Sequence, residues 1–188
     1  MTDLSKKTGR KIAIIGAGAV GASIAYAASI KQLVSELVII DINTENAIGE
    51  SMDICHGLAF LGQMQIRVGD YTDVADCDII IMAGIPRKPE ETRLDFAMKN
   101  VALGKTITES IMKYYNGGVI LVVSNPVDVM TYMISNWSGL PKGTVIGSGT
   151  VLESAHFRYL LSENVVKFFL DIEFNLQFRK TVVQNLYN

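Results

Sequence analysis

The sequence predicts an α/β domain, a doubly wound and wholly parallel sheet of six strands with helices on both faces. Two observations predict it. Short apolar runs of strand length recur at 12–15, 37–40, 65–68, 78–82, 119–123 and 144–147. Helical patterns lie between several of them, at roughly 19–32, 43–54, 94–115 and 127–137, and a further one follows the last run at about 151–164. Strands that are apolar along their whole length, alternating with helices, are the signature of a parallel sheet buried on both sides.

The first strand and helix carry the most chemistry. Ile12 to Ile15 leads into Gly16-Ala17-Gly18-Ala19-Val20-Gly21, a helix of small residues follows, and the second run, Leu37 to Ile40, ends in Asp41. Each glycine has a separate purpose in this spacing. Gly16 lets the chain turn sharply out of the strand, Gly18 lets backbone approach a pyrophosphate, and Gly21 lets the helix pack close to the sheet. The free amides at the helix start then face the phosphates. Asp41, about twenty residues past Gly21, is spaced to accept hydrogen bonds from an adenosine ribose, and its charge favours NAD over NADP. A glycine turn alone is weak evidence. Here the strand before it, the helix after it and the acid closing the next strand all agree on a Rossmann-type dinucleotide site.

The later elements follow the same logic. Gly104 falls inside the helix at 94–115 and costs it roughly 1 kcal/mol relative to alanine. The run at 119–123 ends in Ser124-Asn125-Pro126, where Asn-Pro breaks the strand before the next helix. That puts Asn125 at the carboxyl edge of the sheet, where open α/β folds bind ligands. From Leu170 to Arg179 apolar and polar residues alternate without a break. This is the period of a half-buried strand, unlike the buried runs upstream, and it reads as an edge or tail whose apolar face invites aggregation. The expected domains are a dinucleotide-binding domain at 1–150, one helix of a further domain at 151–164, and a divergent tail at 165–188.

Composition narrows the function. The chain has 188 residues, 49% hydrophobic and 19% charged, enough for one good core. A net charge of −2 without a basic block gives nucleic-acid binding no support, and the apolar runs are too short and too broken by glycine to span a membrane. Cys55 and Cys77 have neither CxxC nor metal-ligand spacing, so no metal is expected. They suit a reducing cytosol, as small buried hydrophobes.

Together the segments IAIIGAGAVG, ELVIIDIN, MDICHG, GDYTDV, AGIPRKPEETRLDFAMKNV, VILVVSNPVDVMTY and SGLPKGTVIGSGTVLES resemble the L-lactate/malate dehydrogenase family, leaning to its NAD-dependent L-lactate branch. The resemblance covers about residues 10–163 and stops near Asn164. It implies NAD as cofactor, a small 2-hydroxy acid as substrate, cytoplasmic placement in glycolysis and pyruvate fermentation, and homo-oligomers as in the family. It implies that Gly16, Gly18, Val20 and Gly21 line the pyrophosphate and Asp41 the adenosine ribose. Tyr71, Gly84, Ile85, Thr106, Val123, Asn125 and Ser148 then line the rest of the cofactor path. Val20, Ile85 and Val123 would also suit the core of any α/β domain.

The substrate side implied by the resemblance is mixed. Arg93 matches the loop arginine that polarises the substrate carbonyl, a fixed positive charge aimed at a developing alkoxide. Glu90, where the family usually has glycine, adds a negative charge to a loop that must close over an anion. Asn125 and Asp128 fall in the Ser-Asn-Pro-Val-Asp motif beside the substrate. Arg87 matches the position that discriminates substrates, and an arginine there suits a dicarboxylate, which keeps malate open beside lactate.

The chemistry of proton transfer is where the chain departs from the family. The family's histidine base lies in a His-Gly-Asp motif, whereas this chain has only His56 and His156, neither in such a motif. His56 reads as a helix-end residue. Glu153 stands at the position of the aspartate that orients the base. His156 stands at the position of the arginine that grips the substrate carboxylate, and imidazole lacks that two-donor fork. Arg158 matches an arginine that binds fructose 1,6-bisphosphate in some relatives, though a solvated helix arginine is the plainer reading. The expectation is a member of the family with its substrate domain absent, impaired by roughly two to four orders of magnitude through loss of the base alone. A frameshift near Asn164 and a non-catalytic NAD-binding module are the accompanying alternatives.

Overall fold

The computed structural model describes residues 10–62, 64–83 and 93–164, except the side chains of 93–96, 163 and 164. The chain divides into two compact units, residues 1–147 and 148–188.

In the first unit the strands are β1 (Lys11–Ile15), β2 (Glu36–Ile40), β3 (Gln65–Val68), β4 (Ile79–Met82), β5 (Val119–Val122) and β6 (Val145–Gly147). They form one sheet in the order β3-β2-β1-β4-β5-β6, and all five pairings are parallel. The helices are α1 (Ala19–Ile30), α2 (Thr44–Gly57), α3 (Arg93–Met112) and α4 (Val127–Ser138). The predicted alternation and the doubly wound sheet are therefore present in this unit. A short 3-10 helix at Tyr71–Asp76, which the apolar pattern does not announce, makes the crossover from β3 to β4. Its polar ends hold it: Asp70 accepts from the amide of Thr72, and Asp73 accepts from the amide of Asp70 at 3.1 Å.

The central strands β1, β2 and β4 are buried on both faces, and alternate residues serve different cores. Ile12, Ile14, Leu37, Ile39 and Ile81 join Ala25 and Ala28 of α1 and Ala47 and Ile54 of α2. Ala13, Ile15, Val38, Ile40, Ile80, Ile120 and Val122 join Ile107 and Ile111 of α3 and Met130 and Ile134 of α4. One face thus takes α1 and α2, the other α3 and α4. Gly104 has a packing reason to interrupt α3, since a Cβ there would overlap the Met130 methyl of α4. The apolar alternation expected at 170–179 lies outside the described residues.

The sheet's amino edge is closed by charge. Lys11 Nζ bonds Asp76 at 2.5 Å and stands 3.6 Å from Asp73 and 3.9 Å from Glu36. Arg67 bonds Glu36 at 2.9 Å and also pairs with Asp73. Burial alone would lower the Lys11 ammonium pKa, but the bond to Asp76 and the acids around it raise it overall. The Arg67 hydrogen bonds hold the Asp73 carboxyl below the usual carboxylate range.

The second unit is described through one helix, α5 (Val151–Asn164). Its amino end is set by Ser148 and Thr150, whose carbonyls accept from Val151 and Ser154 at 3.2 and 2.8 Å.

Candidate functional site

Strand order reverses between β1 and β4, so the crevice outside their carboxyl ends is the topological switch point where such sheets bind ligands. The glycine loop leaves β1 there. The Gly16 amide donates to the Ile40 carbonyl at 2.8 Å, continuing the ladder for one residue. Gly16 then turns at φ 105°, a conformation that favours glycine. A Cβ at Gly21 would overlap the Gly16 carbonyl oxygen and crowd Ile14, so Gly21 is what lets α1 sit on the turn.

Gly18 differs from both. Its φ of −73° is open to any residue, and nothing lies within 4 Å of where its Cβ would be. Neither backbone strain nor packing within the protein requires glycine there. Gly18 is the N-cap of α1, no side chain caps the helix, and no acid sits in its first turn. The first-turn amides are thus left without a side-chain acceptor, as an anionic ligand requires. These residues fit a dinucleotide pyrophosphate. Val20, in that first turn, is 50% exposed and so is not a core residue.

Asp41 closes the other side. One carboxylate oxygen accepts the Ala17 amide at 2.5 Å, and the other accepts the Asn43 amide at 2.8 Å. Each oxygen keeps a further lone-pair site for a sugar hydroxyl. Tyr71, half-buried at the start of the 3-10 crossover, feels this carboxylate. Burial first, and then the charge of Asp41, raise its phenol pKa.

Further along the carboxyl edge, the Val123 and Ser124 amides both donate to the Met82 carbonyl at the end of β4, at 3.0 and 3.2 Å. Val123 is half-buried against the first core. Asn125 is exposed, and Pro126 N-caps α4 with Asp128 exposed in the first turn. Thr106 is exposed on α3. The fold thus brings Gly16, Gly18, Val20, Gly21, Asp41, Val123 and Asn125 to the same edge of one sheet. Gly84, Ile85, Arg87 and Glu90 lie outside the described residues, as does the side chain of Arg93. Ser148, Glu153 and His156 belong to the second unit, where Ser148 is half-buried and Glu153 and His156 are exposed. His56 sits in the last turn of α2, a helix-end position.

Two asparagines absent from the sequence-based site also act here. Asn46, in the first turn of α2, donates from Nδ2 to the Ala17 carbonyl at 2.8 Å, so Asp41 and Asn46 hold Ala17 from its two sides. Asn100 on α3 is fully buried and donates from Nδ2 to the Asn125 carbonyl at 2.5 Å. A signal for Asn100 exists in the sequence: Asn100, Gly104, Ile107 and Ile111 share one helical stripe, in which an asparagine is out of place.

Among the described residues no cluster of three or more His, Cys, Asp or Glu could hold a metal ion, and no helix is long and apolar enough to cross a membrane. Cys55 and Cys77 are free. Burial pushes the Cys77 thiol up to about 11, which keeps it protonated and unreactive.

Residues 10–147 match the family model for the NAD-binding domain of lactate/malate dehydrogenases. The chain belongs to the lactate/malate dehydrogenase family. Its matched region is that family's NAD-binding domain, and NAD is the cofactor the glycine loop and Asp41 suit. An L-lactate dehydrogenase of Acetivibrio thermocellus is 48% identical over 162 residues, which are 86% of this chain and 51% of the relative. The solved L-lactate dehydrogenase from Clostridium thermocellum superposes with a TM-score of 0.72 at 60% identity, covering 83% of this chain and 50% of that one. The malate dehydrogenase of Picrophilus torridus superposes with a TM-score of 0.77 at 36% identity, covering 84% and 51%. The chain spans about half the length of the relatives it matches.

Proposed function

We propose that this chain is the cofactor-binding half of an NAD-dependent L-2-hydroxyacid dehydrogenase of the cytosol, with lactate and pyruvate as its substrate pair. One observation carries the cofactor side: at Gly18 neither φ nor packing within the protein calls for glycine, and it heads an uncapped helix beside the Asp41 carboxylate. Glycine suits an N-cap, and one that leaves the first-turn amides without a side-chain acceptor supports a ligand brought close to this backbone. The names of the relatives support the substrate pair. Malate and oxaloacetate are the second reading. Arg87 favours them, as a guanidinium able to hold a second carboxylate, and so does the likeness to a malate dehydrogenase.

When bound, NAD accepts or donates the hydride. In this reading the first-turn amides of α1 bind the pyrophosphate, with Gly16, Gly18, Val20 and Gly21 forming the cradle, and Asp41 receives the ribose hydroxyls. Tyr71, Gly84, Ile85, Thr106, Val123 and Ser148 line the remaining cofactor path. Arg93 and Asn125 orient the substrate carbonyl, flanked by Arg87 and Asp128. Proton transfer is the weak step for these 188 residues. Their only histidines are His56 and His156, Glu153 stands where the base-orienting aspartate belongs, and His156 replaces the carboxylate-gripping arginine. The chain alone should therefore bind NAD but turn over roughly two to four orders of magnitude more slowly than a full-length relative.

Thermal melts of the purified chain under rising NAD test the cofactor reading, with a concentration-dependent increase in melting temperature expected. A folded chain whose melt ignores millimolar NAD would end it. NADH oxidation with pyruvate and with oxaloacetate tests the rest. Faster turnover of oxaloacetate would move the substrate to malate, and pyruvate turnover at the level of a full-length relative would refute the impairment.

A further inference from the structure

The buried carboxamide of Asn100 is the least explained polar group in the first unit. It lies on the buried face of α3 with Gly104, Ile107 and Ile111, packed between the sheet and α4; the other buried polar residue there, Thr108, donates to the Gly104 carbonyl. The Asn100 side chain is fully buried, its Nδ2 donates to the Asn125 carbonyl at 2.5 Å, and its Oδ1 meets no hydrogen-bond donor among the described residues. An unmet buried acceptor destabilises a fold. A leucine of similar size would suit the stripe better if packing were the only demand.

The partner explains the exception. Ser124 is tied to β4, because its amide and Oγ both donate to the Met82 carbonyl at 3.2 and 3.1 Å. Pro126 has no amide hydrogen to give. Asn125 lies between them with its side chain exposed at the carboxyl edge, and its carbonyl is the acceptor for Asn100. We propose that Asn100 is a positioning residue: by gripping the Asn125 carbonyl from α3, it fixes the end of β5 where cofactor and substrate meet, and so sets affinity for NAD without touching it. The proposal rests on the reading of this edge as the NAD site.

Three proteins test it: the natural chain, N100L and N100D, each titrated with NAD by calorimetry between about pH 5.5 and 8, with circular dichroism confirming the fold at every pH. The aspartate is the discriminating variant. Burial raises the pKa of its carboxyl. Ionised at high pH, it has no proton to donate to Asn125; protonated at low pH, its O–H restores the donor. N100D should bind NAD about tenfold more weakly than the natural chain at pH 8 and recover to within about threefold near pH 5.5. N100L should be weakened about equally at every pH. A structural role alone would lower the melting temperature of the variants but leave the affinity of the folded protein unchanged and its ratio to the natural chain flat in pH. Either result in folded N100D overturns the proposal, and N100D near pH 5.5 decides it if N100L does not fold. Absence of NAD binding by the natural chain would instead strike the reading of the site.

Discussion

The two edges of the sheet are built from the same strands and finished in opposite ways. At the amino edge, Lys11, Glu36, Arg67, Asp73 and Asp76 answer one another's charges. At the carboxyl edge, the side chains present are used to hold backbone: Asp41 and Asn46 on Ala17, Ser124 on Met82, Asn100 on Asn125. The first turn of α1 is left uncapped there. One edge satisfies itself, and the other orders its main chain and leaves helix amides for something from outside. The difference teaches where to look for ligands in such a sheet: at the end whose polar groups are positioned but not consumed. The 3-10 helix at 71–76 joins the two regimes, with Tyr71 near Asp41 and Asp76 on Lys11.

The sharpest way to break the contrast is to damage the backbone of the open edge. Gly21→Val would force α1 off the Gly16 carbonyl, where no flexible side chain can yield. A loss of about 3 kcal/mol in urea unfolding is expected, together with NAD affinity.

The closed edge should respond in stability alone. Lys11→Met removes the ammonium that Asp76, Asp73 and Glu36 share, and about 2 kcal/mol should be lost in the same unfolding measurement. NAD affinity of the folded variant should be unchanged. The pH dependence follows from the directions of shift. Asp73, depressed in the folded chain, contributes stability above its unfolded pKa and loses it as pH falls through the folded one. Lys11, raised in the folded chain, contributes fully below its unfolded pKa and loses that contribution as pH rises through the folded one. Melts across pH should therefore show a plateau bounded on both sides; the raised Cys77 thiol and Tyr71 phenol also weaken the alkaline side, so Lys11→Met should remove only the Lys11 share of that boundary.

The smallest effect on stability is the most telling for function. Gly18→Ala adds a methyl to open space at a φ that alanine accepts. Melting without ligand should lose no more than about 1 kcal/mol, because alanine is a poorer N-cap than glycine, while NAD binding, followed by titration, weakens about tenfold. Equal affinity would mean that no ligand approaches this backbone.

Much of this was legible in the sequence because parallel strands buried on both faces must be apolar throughout, and helices between them must carry a 3.6-residue stripe. Ile12–Ile15, Leu37–Ile40 and the stripe of Ile107 and Ile111 leave little choice. The glycine spacing and Asp41 were legible because steric need and charge attach to single positions. The amino-edge network was not, since Lys11 and Asp76 lie 65 positions apart and only the strand order brings them together. The crossover at 71–76 was missed because its order comes from Asp70 and Asp73 bonding nearby amides rather than from any apolar period. Asn46 escaped because an asparagine in a helix's first turn looks like ordinary solvated surface. Val20 fitted either a core or a ligand-facing role in the sequence, and its half-exposed position removes the core reading.

The tie between Asp41 and the Ala17 amide has a bearing on engineering. Retargeting a domain of this kind to a cofactor bearing an extra ribose phosphate begins by deleting the acid at this position. Here that deletion would also release the peptide at the tip of the turn, leaving Asn46 to secure it from one side. A redesign would need two changes made together, one to welcome the new phosphate and one to give the freed amide another acceptor.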